Sequence, residues 1–158
     1  MTNEPSSKRF GKCLCGAVAF SVDIQVHDDG VHIDACHCNM CRRQIGGPLL
    51  GITLAGPPNI DDAETLAVYP SSDWAERLFC KNCGSNLFYR FKNGAMHTVH
   101  AGALDDLSDG KLVVEIFTDE KPSYYDFNQP TQALTGQQVM ALFADGAAAS
   151  SSTATQAD

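Results

Sequence analysis

The chain has 158 residues, 44% of them hydrophobic and 19% charged, which suits one globular domain with room for a core of its own. The formal net charge is −8, and the 11 Lys and Arg residues form no run longer than a pair such as Arg42-Arg43; this argues against nucleic acid and anionic membranes as partners. No stretch approaches the ~20 apolar residues of a membrane span, and the first residues lack the apolar segment of a secretory signal, so the expected compartment is the cytosol, where thiols stay reduced.

Residues 1–9 are polar and read as a flexible N-terminus ahead of a domain over 10–143. Residues 17–26 alternate, with Val18, Phe20, Val22, Ile24 and Val26 on one face, the pattern of a half-buried strand. Residues 48–56 and 64–70 also read as strands, the second ended by Pro70. Residues 86–104 read as two strands around Asn93-Gly94, a strong hairpin-turn signal, and 111–119 as another strand. One helix is expected, over 135–143. Thr135 and Gln138 fit a capping box there, and Val139, Leu142 and Phe143 follow at helical spacing. From Ala144 to Asp158 the composition is low in complexity and lacks core-forming residues, which predicts a disordered tail. The expected fold is mainly β, with metal knuckles in its loops and one short C-terminal helix.

The seven cysteines fall in groups of two, three and two: Cys13 and Cys15; Cys36, Cys38 and Cys41; Cys80 and Cys83. An odd number in a reducing compartment points to metal rather than disulfides. Cys80-x-x-Cys83 lets two thiolates of one tight turn reach one ion, and Gly84 supplies the positive φ such a knuckle often needs. Cys13 and Cys15, if extended, point to one face. Zinc takes four ligands in a structural site and keeps a position open in a catalytic one. Without splitting a chelating group, Cys13, Cys15, Cys80 and Cys83 make a closed site, and Cys36, Cys38 and Cys41 are left as three ligands with one position free. Two other readings of the three stay open. His32, Asp34, His97 or His100 would close the site as a structural one; alternatively, the thiols are redox-active without metal.

Around the three cysteines, His37 lies between two ligands, so its ring is expected to point away from the metal. Arg42 and Arg43 follow the last ligand and would offset thiolate charge or bind a substrate carboxylate. Gly46-Gly47-Pro48 reads as a turn, and Trp74 and Tyr124-Tyr125 as packing residues or pocket walls.

The segments GKCLCGAVAFSV, ACHCNMCRRQIGGP, RLFCKNCGSNLFYRF, HAGALDD and EIFTDEKPSYYDF resemble, in order and spacing, the glutathione-dependent formaldehyde-activating enzyme (GFA) family, which also contains centromere protein V. The resemblance runs from about Gly11 to Pro130. It implies a β-tent fold and two zinc ions per chain. The structural ion matches Cys13, Cys15, Cys80 and Cys83; the catalytic one matches Cys36, Cys38 and Cys41. It also implies a carbon–sulfur lyase or synthase whose default substrates are glutathione and formaldehyde, giving S-hydroxymethylglutathione. Three thiolates around Zn²⁺ leave a net −1 charge, which suits a soft fourth ligand such as a substrate thiolate. The competing expectations are a non-catalytic zinc-binding module and a thiol redox protein.

Overall fold

The alternating stretch after the first cysteine pair forms a strand whose apolar side chains are nearly all enclosed, and the rest of the core is built against it. The computed structural model describes residues 5–152. In chain order these form β1 (Ser6–Lys12), β2 (Ala19–Gln25), β3 (Val31–Cys36), α1 (Asn39–Ile45), β4 (Leu49–Thr53), β5 (Asn59–Ile60) and β6 (Leu66–Pro70). They continue with β7 (Ala75–Cys80), β8 (Asn86–Phe91), β9 (His97–His100), β10 (Gly110–Ile116), β11 (Gln132–Leu134) and α2 (Gly136–Ser152). The fold is mainly β, as the alternation predicts.

The strands make two sheets. A small one has the order β1-β2-β5, and a large one the order β11-β10-β3-β4-β9-β8-β7-β6. β10 runs parallel to both β3 and β11, while the other pairings are antiparallel. Bridges Ile24↔Leu54 and Gly11↔Leu104 tie the small sheet to the large one. Between them Val18, Phe20, Val22 and Ile24 pack with Ile52, Leu78, Phe88 and Val99. Phe20 meets Phe88 edge-on with ring centroids 4.7 Å apart. Each such buried side chain stabilises the fold by roughly 2 kcal/mol before its ordering entropy is counted. A second, smaller cluster lies elsewhere: Cys36, Cys38, Cys41 and Leu49, flanked by Ile45, Ile116 and Phe117.

Several expectations change. Residues 6–9 are not a loose terminus but the first part of β1, paired with β2 from Ser6↔Gln25 to Lys12↔Ala19. Backbone pairing orders them, together with an ion pair of Arg9 to Asp109 at 2.6 Å, and neither leaves a hydrophobic pattern. Residues 1–4 of that expected segment lie outside the described residues. β3, β7, β11 and α1 carry no clear periodic signal and were not expected. The strand foreseen over 111–119 stops at Ile116 because Phe117 turns left-handed, with φ 55°. The C-terminal helix has its foreseen capping box: Thr135 N–H donates to Gln138 Oε1 at 2.8 Å, and Gln138 N–H to Thr135 Oγ1 at 3.3 Å. The helix extends to Ser152, so the expected tail does not begin at Ala144. Alanine is the strongest helix former, and residues 144–149 hold four of them. Residues 153–158 lie outside the described residues.

Candidate metal centres

The two cysteine groups that spacing assigned to one site come together from opposite ends of the small and large sheets. Cys13 follows β1, and Cys80 ends β7. The sulfurs of Cys13, Cys15, Cys80 and Cys83 all lie within 4.8 Å of one another. Cys13 and Cys15 Sγ are 3.5 Å apart, and Cys15 and Cys80 Sγ 3.8 Å. Four thiolates at the usual ~2.3 Å from zinc would stand about 3.8 Å apart at tetrahedral angles, so the donor set fits that ion.

Two tight turns shape the cluster. Cys13 and Cys15 are not on an extended segment as supposed. The chain turns after Lys12, with Gly16 N–H donating to Cys13 O at 3.0 Å, and Val18 N–H reaches back to Cys13 Sγ at 3.2 Å. In the second turn Gly84 N–H donates to Cys80 O at 2.9 Å, and Gly84 takes the anticipated positive φ of 74°. Ser85 Oγ accepts from Leu14 N–H at 2.9 Å and lies 3.2 Å from Cys83 Sγ, joining the two turns.

Cys36, Cys38 and Cys41 form the second cluster, again with all sulfurs within 4.8 Å, and all three are buried. Among the described residues no histidine nitrogen or carboxylate oxygen joins either group. None of the seven cysteines is in a disulfide. Cys36 ends β3. Cys38 is the N-cap of α1, its Sγ accepting from Cys41 N–H at 3.4 Å, and Cys41 lies in the first helical turn. Gly46 ends α1 left-handed, with φ 83°. The Gly46-Gly47-Pro48 turn therefore serves as the helix stop. These sulfurs titrate together: contacts with Cys36 and Cys41 pull Cys38 well below the ordinary thiol value, and contacts with Cys38 and Cys41 push Cys36 far above it.

Residues around the cluster divide into a buried brace and an open side. His37 is fully enclosed, and its ring nitrogens meet Glu115 and Tyr125 rather than joining the three sulfurs. Its Nε2 lies 2.8 Å from Glu115 Oε2 and its Nδ1 2.7 Å from Tyr125 Oη. Burial, only partly offset by Glu115, lowers its pKa, so the neutral ring donates from Nε2 and accepts from Tyr125. Glu115 also accepts from Lys121 Nζ at 2.8 Å and Thr131 Oγ1 at 2.6 Å. Burial would raise its pKa, but these donors hold it below the ordinary value. Arg42 Nε donates to His37 O at 2.8 Å, bracing the loop.

On the other side Arg77 of β7, only 4% exposed, points its Nη2 at Cys41 Sγ, 3.6 Å away. Its Nη1 donates to Gln44 Oε1 at 2.7 Å, and the guanidinium lies 5.2 Å from the centre of the Tyr89 ring. The pairings Cys36↔Leu49, Asp34↔Gly51, Gly51↔His100, Tyr89↔Thr98 and Arg77↔Tyr89 put Cys36, His100 and Arg77 on one face of the large sheet. His100 is buried, and among the described residues its Nε2 has no hydrogen-bond partner. Burial, then the Arg77 charge, brings its pKa down to about 4. Beside Arg77 opens a cleft of about 540 Å³, lined among others by Met40, Arg43, Gln44, Tyr69 and Asn86.

Sequence reasoning proposed His32, Asp34, His97 and His100 as closing ligands, and none of them joins the three sulfurs. His32 pairs with Asp29 at 2.8 Å. Trp74 and Tyr124 are exposed, and Tyr125 belongs to the His37 brace. Arg77 and Glu115 were missed. The available signal was a charged residue set among apolar ones, Arg77 before Leu78-Phe79 and Glu115 between Val114 and Ile116.

A profile of the family described as glutathione-dependent formaldehyde-activating enzyme matches residues 8–120. An uncharacterised lyase of Schizosaccharomyces pombe is 30% identical over 131 residues, which span 82% of this chain and 93% of that protein. A Podospora anserina protein, whose name proposes a glutathione-dependent formaldehyde-activating enzyme, is 29% identical over 84 residues, 51% of this chain and 38% of that protein. Among solved structures, a Rhodobacter sphaeroides protein superposes with a TM-score of 0.48 at 26% identity, covering 61% of this chain and 87% of that one.

Proposed function

Since the chain belongs to the glutathione-dependent formaldehyde-activating enzyme family, we propose that it is a zinc-dependent carbon–sulfur lyase that joins a small thiol to an aldehyde and cleaves the adduct in reverse. Glutathione and formaldehyde are the default pair, with S-hydroxymethylglutathione as the adduct. The reaction needs no oxidant: the thiol sulfur bonds to the carbonyl carbon, and the thiol proton ends on the former carbonyl oxygen.

The observation that carries this reading is a three-thiol cluster with no fourth protein donor among the described residues; Arg77, which meets Cys41 Sγ at 3.6 Å, also lines a cleft of about 540 Å³, although none of the three cysteines lines it. That volume is within the usual range for small-molecule sites. Cys36, Cys38 and Cys41 would hold the catalytic ion, and Cys13, Cys15, Cys80 and Cys83 the structural one. Zinc held by Cys36, Cys38 and Cys41 would supply a Lewis acid able to activate a substrate thiol as thiolate. The protein's own part is to shape and charge that position. Arg43 lines the cleft and suits a carboxylate of a peptide thiol. Met40 and Tyr69 form its apolar wall. The His37 and Arg42 brace fixes the loop between the ligands. A non-catalytic zinc module closed by a protein ligand is less well supported, because it needs a donor that the cluster lacks among the described residues.

Cys38→Ser tests the proposal cleanly. Serine is a preferred N-cap, so α1 keeps its first hydrogen bond while the cluster loses a thiolate. The variant should melt like wild type and retain one zinc ion. It should lose glutathione binding in titration calorimetry, and lose at least about 100-fold in NMR-measured exchange of S-hydroxymethylglutathione. Equal binding and turnover in Cys38→Ser would make the non-catalytic module the better reading.

A further inference from the structure

A guanidinium that is almost fully buried needs an anion, since desolvating a charge is costly unless it is paired. Arg77 has no carboxylate within ion-pair distance among the described residues. Its surroundings are Gln44, the Tyr89 ring, neutral His100 and Cys41 Sγ. Only the sulfur cluster can carry the matching negative charge. Among the described residues Arg77 is the cation in hydrogen-bonding contact with the cluster, while Arg42 Nε donates to a backbone carbonyl and Arg43 Nε to Asn39.

We propose that Arg77 is a positioning residue for the second cluster, the built-in counter-cation that balances its three thiolates and favours a negatively charged fourth ligand. This rests on the reading of Cys36, Cys38 and Cys41 as a metal site. Each thiolate beyond the second leaves a divalent ion with net negative charge. A substrate thiolate arriving as the fourth donor adds one more. A fixed positive charge against Cys41 offsets that increment in a site from which water, the usual screen, is largely excluded. The planar guanidinium is held from two sides, by Gln44 and by Tyr89, so its direction toward the sulfur does not depend on substrate.

The test uses the full chain loaded with zinc or with cobalt(II), read by chelator competition and by the thiolate-to-cobalt absorption band. Arg77→Gln keeps an N–H donor without the charge; Arg77→Lys keeps the charge. Wild type should hold two ions. Arg77→Gln should weaken the second site 10- to 100-fold, leave the four-cysteine site unchanged, and move the second-site cobalt band to longer wavelength. Glutathione should bind that variant at least tenfold more weakly. Arg77→Lys should recover the second site to within about threefold. A folded Arg77→Gln with wild-type affinity at both sites and an unshifted band overturns the proposal. If Arg77→Gln does not fold, Arg77→Lys decides: recovery supports the counter-charge, and loss of the second ion from a folded Arg77→Lys overturns it. Wild type that takes up only one ion would refute the metal reading itself, a result distinct from either variant's.

Discussion

His100 shows what one buried titratable side chain contributes to acid stability. Its pKa is brought down to about 4 by burial and then by the nearby Arg77 charge, against an ordinary value of 6.5. The unfolded chain therefore binds a proton that the folded chain refuses. Stability from this residue is complete above pH 6.5 and is lost as pH falls from 6.5 to about 4, by about 3 kcal/mol in all. Urea unfolding of wild type and His100→Gln across that range isolates the effect: the wild-type curve should fall more steeply by that amount, and parallel curves would refute it. At this scale the grouping of the cysteines into clusters of four and three was legible in the sequence. Such spacings are local, and dividing seven sulfurs between two clusters requires only counting. Arg77, Glu115 and the fate of His100 were not legible, because each acts through a partner that only the folded sheet brings near: Cys41 at 36 positions from Arg77, His37 at 78 from Glu115.

Among elements, Glu115 joins three pieces of chain. From β10 it accepts from His37 in the loop between β3 and α1, from Lys121 after the strand, and from Thr131 just before β11. Lys121 is held in turn by Asp126. Glu115→Ala leaves His37 and the largely buried Lys121 without their shared acceptor. It should cost at least about 3 kcal/mol in urea unfolding, the usual penalty for breaking a buried charged pair from one side. A loss under about 1 kcal/mol would mean that these pieces are held by packing instead. The elements that sequence revealed are those with their own periodicity or local chemistry: β2 by alternation, β8 and β9 by the Asn93-Gly94 turn, and the start of α2 by its capping box. β1 takes its order from pairing with β2, and α1, seven residues long, is held by its cysteines and its caps. Neither cause has a repeating pattern to read.

Across the whole molecule, the four-cysteine cluster brings the turn after β1 of the small sheet to the end of β7 in the large one, and a metal bound there would cross-link the two sheets. Binding of a metal to the folded state alone contributes directly to stability, on the order of 10 kcal/mol in small zinc peptides and less where a core already exists. Cys83→Ser should lower the melting temperature by roughly 10 °C or more, or leave the chain insoluble. A variant that melts with wild type would show that the sheets hold together without the cross-link. Mainly-β character was readable in advance. The strand order was not, since nothing local says that β10 crosses to lie beside β3.

That crossing has a consequence in time. β6 to β9 form a meander of successive neighbours and can zip together locally, whereas Cys36 meets its β10 partner Ile116 only after 80 positions of intervening chain. Closing so long a loop is entropically unfavourable until the intervening strands are in place. The wall behind the three-cysteine cluster therefore forms only once β10 has docked across that loop, so an ion at this cluster would be held only by a chain that has completed the crossing.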